Sequence, residues 1–315
     1  MIHWRRLLRS VALLLLGLAS GAALAMQTTS TIPNAPPKLV VTEIQTMLTT
    51  KSGHEFPVTI FAPDRSGTFP LIVFSTGAFS SPDRYLNMLQ PIAEAGYIIL
   101  APTHLDAEIL ALDPKPKSET VWTTRNDEIA HLAAAPDPMV ARLKRRGFTI
   151  DANRIAIMGH SYGALIAQIG AGAIATEPDG SRPNRKIENV AALVAYSPPG
   201  PLAKMIDAKG WSTIDVPSLT VTGTADILPG FIDDWRLHKA AYEATPKGAR
   251  WLWVGDDVDH YFDGLFGRGG SIRPEIAKRF DHAIATTIQF LDLHLKPGKV
   301  AEGPEPLSGV EVTKD

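Results

Sequence analysis

The chain has 315 residues, 45% of them apolar and 20% charged, with a formal net charge of −2 and no cysteine. That balance belongs to a globular protein with enough apolar side chains for a sizeable core, and its near-neutral charge leaves no electrostatic footprint for nucleic acid. The missing cysteines exclude disulfides, thiolate metal sites, a cysteine nucleophile and a lipid-modified N-terminal cysteine.

At the N-terminus, Arg5, Arg6 and Arg9 precede an apolar run from Val11 to Leu18, and Ala23-Leu24-Ala25 stands before Met26. A basic region, a short apolar run and an A-x-A site read as a cleaved signal peptide over 1–25. The run is too short to span a bilayer comfortably, so no stable membrane anchor is expected after cleavage. Trp4 and Leu8 fit a twin-arginine signal poorly, which favours general secretion to a periplasm or beyond. Residues 26–38 are polar and Pro-containing and read as a flexible leader. The folded domain is expected over 39–296, with 297–315 as a peripheral tail.

Within that domain, Leu39-Val40-Val41 and Phe56 to Phe61 read as two antiparallel edge strands. Leu71 to Phe74 and Tyr97 to Leu100 are continuous apolar runs, as expected of strands buried on both faces. A helix is expected from Ser81-Pro82-Asp83 to Ala95, and another over Val121 to Arg146, breakable at Pro136 and Pro138. Arg154 to Met158 is a strand and Ala164 to Ala175 a helix. Three further strands follow at Val190 to Ala195, Ser218 to Val221 and Trp251 to Val254, then a helix from Pro274 to Leu295. Strands alternating with helices imply a largely parallel sheet covered on both faces. Residues 198–216 lack periodicity and are a candidate small cap.

Gly159-His160-Ser161-Tyr162-Gly163 matches G-x-S-x-G, and it stands between a strand and a helix as that turn requires. The glycines remove Cβ atoms where strand and helix come close. A serine hydroxyl needs a base to take its proton and a carboxylate to orient that base. Asp226 follows the Ser218–Val221 strand, and His260 follows Trp251–Val254. This is the order Ser, acid, His beyond strand ends where open sheets build their sites. The bland alternatives are a turn-capping Asp226 and a solvent-exposed His260. Rival histidines are less well placed: His131, His282 and His294 lie within helices, His238 precedes one, and His54 sits in an early hairpin. His160 adjoins the serine but aims its ring elsewhere. Asp256, Asp257 and Asp259 lack calcium-binding spacing, so no metal is expected. The oxyanion donors are expected to be the N–H groups of Tyr162 and, from the loop after the Leu71 strand, Ala78. Phe79, Tyr261 and Phe262 are candidate substrate-pocket residues.

Four segments carry a family resemblance: Phe69 to Gly77, Gly96 to Pro102, Gly159 to Gly163 and Thr222 to Asp226. By these the chain resembles the α/β-hydrolase superfamily, and within it the dienelactone hydrolase and platelet-activating-factor acetylhydrolase-like branch. Thr76 stands where that branch usually has histidine, and Ser161 replaces the cysteine of true dienelactone hydrolases. The resemblance implies an α/β-hydrolase fold with a small cap or none. It also implies hydrolysis of small-molecule or polymeric carboxylic esters, without cofactor or metal.

Overall fold

The computed structural model describes residues 41–202, 205–296, 298 and 302–315, all within one unit, Lys38–Asp315. The signal peptide and most of the leader lie outside the described residues. In chain order the elements are β1 (Val41–Thr49), β2 (Glu55–Pro63), β3 (Gly67–Ser75), α1 (Leu86–Glu94) and β4 (Ile98–Pro102). Then come α2 (Ser118–Ala133), α3 (Asp137–Lys144), β5 (Phe148–His160), α4 (Tyr162–Gly170), β6 (Val190–Tyr196) and α5 (Ala208–Trp211). The last are β7 (Ser218–Ala225), α6 (Ala240–Ala244), β8 (Arg250–Asp259), α7 (Pro274–Leu295) and β9 (Val310–Lys314).

These strands form one mixed sheet in the order β1-β2-β4-β3-β5-β6-β7-β8-β9. The six from β4 to β8 run parallel, and β1, β2 and β9 pair antiparallel at the flanks. This is the α/β-hydrolase fold. Each central strand sends alternate side chains to opposite faces. Leu71, Val73, Ile155 and Ile157 meet α2, α3 and α4, while Ile72, Phe74, Ala156 and Met158 meet α1 and α7. Both faces are therefore dry, and the continuous apolar runs are explained by burial on both sides.

Two features depart from the sequence reading. β2 lies inside the sheet between β1 and β4, so only β1 is an edge on that side. The tail supplies β9, which pairs Val310 to Lys314 against Gly255 to Trp251 and extends the sheet beyond β8. Residues 198–216 form a Leu202–Ile206 bridge and the single turn α5. That turn is tied to α4 by Trp211 Nε1–H, which donates to Gln168 Oε1 at 2.9 Å.

Candidate active site

Because β3 to β8 are parallel, the loops leaving β3, β4, β5, β7 and β8 all emerge at one edge of the sheet. Ser161 sits between β5 and α4 with φ 53° and ψ −121°, a conformation a non-glycine residue holds only under constraint. Its N–H donates to Tyr196 O at the end of β6, 2.9 Å away. The flanking glycines permit this turn. A Cβ on Gly159 would stand 2.2 Å from Gly163 O, and one on Gly163 would stand 2.1 Å from Ser75 O. Gly163 thus lets α4 press against the loop that follows β3. Gly163→Ala is expected to cost about 3 kcal/mol, since the added methyl meets backbone that cannot turn aside. Thermal unfolding checks this, and an unchanged Tm would contradict it.

Asp226 is fully buried just beyond β7, and His260 is 2% exposed just beyond β8. His260 Nδ1–H donates to Asp226 Oδ1 at 2.7 Å, and Thr222 Oγ1–H donates to Asp226 Oδ2 at 2.8 Å. His260 is therefore not a solvent-exposed histidine, and the Asp226 oxygens accept from His260 and Thr222 rather than capping the turn that follows. Burial works against the charged carboxylate, but contacts from His238 and His260 outweigh it and hold Asp226 well below the usual carboxylate range. His260 Nε2 is buried and has no hydrogen-bond partner among the described residues. Ser161 Oγ makes no hydrogen bond to it, and nucleophile–base links of this kind often tighten only on substrate binding.

His160 links the two sides of the site. Its Nε2 lies 3.0 Å from His260 O, and only an N–H can donate to a carbonyl, so the proton is on Nε2. Nδ1 then accepts from Tyr85 Oη at 2.9 Å, and Tyr85 Oη accepts from Gly77 N–H at 3.0 Å. Burial, and then the neighbouring His260, push the His160 imidazole well below its usual pKa, which keeps this tautomer neutral.

The loop after β3 is held by side chains from α2. Arg125 is buried and forks onto Asp106, with Nε to Oδ1 and Nη2 to Oδ2 both at 2.9 Å. It also donates to Thr76 O at 2.7 Å and Gly77 O at 3.1 Å, and it lies 4.7 Å over the Tyr162 ring. Beside it, buried Glu128 bonds His104 Nδ1 and His54 Nε2, and His104 Nε2 contacts Ser75 Oγ at 2.8 Å. Phe79 N–H donates to Asp106 Oδ2 at 3.0 Å. With Gly77 and Phe79 engaged, the N–H groups of Ala78 and Tyr162 have no partner among the described residues.

The candidate pocket residues divide. Phe79 is 58% exposed and Tyr261 half-buried against His160 and His260. Phe262 is not a pocket residue: it is fully buried among Tyr196, Trp253, Phe266 and Phe280, because the backbone turns it from the mouth into the core. Two residues that sequence reasoning left out, Arg125 and Glu128, belong to the site's frame, as does His238, which it set aside as a rival base. His238 Nε2 lies 3.0 Å from Asp226 Oδ1.

Asp226, His238 and His260 are also a set of potential metal ligands, their atoms within 4.8 Å of one another. Two ligands on one zinc at bonds near 2.1 Å stand about 3.4 Å apart. Here both nitrogens reach one shared oxygen at 2.7 and 3.0 Å, the spacing of direct N–H···O contacts. The set fits proton-mediated contacts better than an ion.

The chlorophyllase family model matches residues 33–198, more than half of the chain. The matched stretch holds the loop after β3 and Ser161, and it ends before Asp226 and His260. Among solved structures, a protein described as a dienelactone hydrolase from Klebsiella pneumoniae subsp. pneumoniae has a TM-score of 0.52. It is 17% identical, over 78% of this chain and 98% of that one, a likeness that shows the fold alone. No curated protein matches this chain.

Proposed function

The chain belongs to the chlorophyllase family, and from that premise we propose that it is an exported serine hydrolase of short to medium acyl or aryl esters. Family and fold support a serine-type ester hydrolase in general. The observation that carries the reading is Ser161 held at φ 53° between β5 and α4, at the same sheet edge as the His260–Asp226 pair.

In the proposed mechanism His260 Nε2 takes the proton from Ser161 Oγ as that oxygen attacks the ester carbonyl. Asp226 fixes the Nδ1–H tautomer and stabilises the imidazolium. The N–H groups of Tyr162 and Ala78, without partners among the described residues, receive the developing oxyanion, at about 3 kcal/mol per donor. The imidazolium then protonates the leaving alcohol. Water activated by His260 attacks the acyl-enzyme and releases the acid, which regenerates Ser161. No step calls for a cofactor. Phe79, Ile227 and Phe231 are exposed on the loops that follow β3 and β7, and apolar side chains on those loops would suit acyl or aryl groups. Export rests on residues 1–25 acting as a signal peptide.

The test uses the protein recovered from the exported fraction and a series of chromogenic esters from acetate to dodecanoate. Met26 is expected as the first residue, with hydrolysis highest at eight carbons or fewer and an initial burst matching the enzyme concentration. A complete absence of ester turnover would overturn the activity, and an N-terminus at Met1 would overturn the cleavage.

A further inference from the structure

Catalysis on this triad needs three segments in register: the loop after β3, the turn that carries Ser161, and the loop after β8 that carries His260. One chain of buried hydrogen bonds joins all three. Gly77 N–H donates to Tyr85 Oη at 3.0 Å, Tyr85 Oη stands 2.9 Å from His160 Nδ1, and His160 Nε2 stands 3.0 Å from His260 O. Both ends of the chain have fixed roles, since an amide N–H can only donate and a carbonyl can only accept. Nε2 therefore carries a proton. Tyr85 is fully buried and His160 is 1% exposed, and the two partners of the His160 ring are a phenol and a carbonyl. A second proton on that ring would be a buried charge with no counter-ion at hydrogen-bond distance. The ring is thus neutral, Nδ1 offers a lone pair, and Tyr85 O–H donates to it. Every hydrogen in the chain points from the loop after β3 toward His260.

We propose that Tyr85 and His160 are positioning residues that tie the loop carrying Ala78 and the loop carrying His260 to the turn of Ser161. The proposal rests on reading Ser161 and His260 as nucleophile and base. In the sheet β5 and β8 are separated by β6 and β7, so no ladder hydrogen bond sets the end of one against the end of the other. His160 supplies that link, because it immediately precedes Ser161 and bonds the backbone of His260 itself. The same segments meet again around Tyr85. Its short turn, Pro82–Tyr85, and the start of α1 hold the chain just past His260. Arg84 O accepts from Gly267 N–H at 2.8 Å, and Asn87 Nδ2–H donates to Leu265 O at 2.9 Å. Between them Phe266 stacks on the Tyr85 ring at 5.7 Å and meets the His160 ring edge-on at 4.8 Å. The fit is close, since a Cβ on Gly77 would stand 3.1 Å from both His160 Nδ1 and Tyr85 Oη.

Three variants and one spectrum test this. His160→Gln and His160→Met introduce side chains of similar length, but only the glutamine can donate to His260 O. Glutamine is expected to keep about tenfold more kcat than methionine, with KM little changed in either. Equal losses in the two would mean packing alone and overturn the proposal. Tyr85→Phe keeps the stacked ring and removes only the hydroxyl, and it should lower kcat roughly tenfold, again with KM little changed. Wild-type kcat in that variant would take Tyr85 out of the proposal. In wild-type protein at about pH 6.5, the ordinary histidine pKa, side-chain ¹H–¹⁵N correlation should show His160 protonated at Nε2 alone. A proton on Nδ1 overturns the direction of the chain. The spectrum needs no substrate, so a protein that hydrolyses none of the esters offered would lose the proposed function while the spectrum still decides the hydrogen-bonded link.

Discussion

Ser161→Ala is expected to lower kcat by about 10⁶-fold, the scale of loss when such a nucleophile is removed from a triad. The side chain is only partly buried, and no hydrogen bond ties its Oγ to the fold among the described residues. Alanine can hold the same backbone turn, so Tm should stay within a few degrees. Initial rates on a short chromogenic ester, beside a melting curve, separate chemistry from unfolding. Residual turnover within tenfold of wild type would place the nucleophile elsewhere.

Asp226→Asn is expected to cost about 10⁴-fold in kcat, through the wrong imidazole tautomer and an imidazolium left without its counter-charge. The change is harsher here than at a carboxylate with one partner. Three groups converge on Asp226: His260 Nδ1–H and Thr222 Oγ1–H donate to it, and His238 Nε2 stands 3.0 Å from Oδ1. An amide offers one oxygen and turns an NH₂ group toward His260 Nδ1–H or Thr222 Oγ1–H. Stability should respond as well, with a definite sign. The folded-state pKa of Asp226 is depressed, so its contribution is complete above the unfolded value near 3.9 and lost as pH falls below it. The variant should be less stable at pH 7 and lose less on acidification below pH 4. A variant within tenfold of wild-type kcat would remove Asp226 from the mechanism.

The parallel sheet was legible because strands buried on both faces are written as unbroken apolar runs such as Leu71–Phe74. The residues of the candidate site were legible where chemistry leaves a local signature: G-x-S-x-G at the elbow, then an acid and a histidine just beyond strand ends. His238 has no such signature. It stands 12 positions after Asp226 in a turn without periodicity, and only the fold returns it to the carboxylate. Arg125 and Glu128 sit in a helix whose charged residues look like a solvated face, yet that face is turned inward onto the loop after β3. Phe262 misled for the opposite reason, since neighbouring a candidate catalytic histidine in sequence does not keep a side chain at the surface. β9 was hidden by shortness: Val310-Glu-Val312-Thr-Lys314 alternates as a half-exposed strand does, but over only five residues.

The grip of Arg125 on Gly77 O fixes more than a loop. In a trans peptide the carbonyl and the following N–H point in opposite directions across one rigid plane. Holding Gly77 C=O toward the guanidinium therefore aims the Ala78 N–H to the far side, away from α2. The plane cannot turn over to satisfy that N–H elsewhere without tearing the carbonyl from a buried, ion-paired arginine. In the proposed mechanism this N–H is thus set before an ester arrives, and no dipole has to swing round as charge appears on the substrate oxygen.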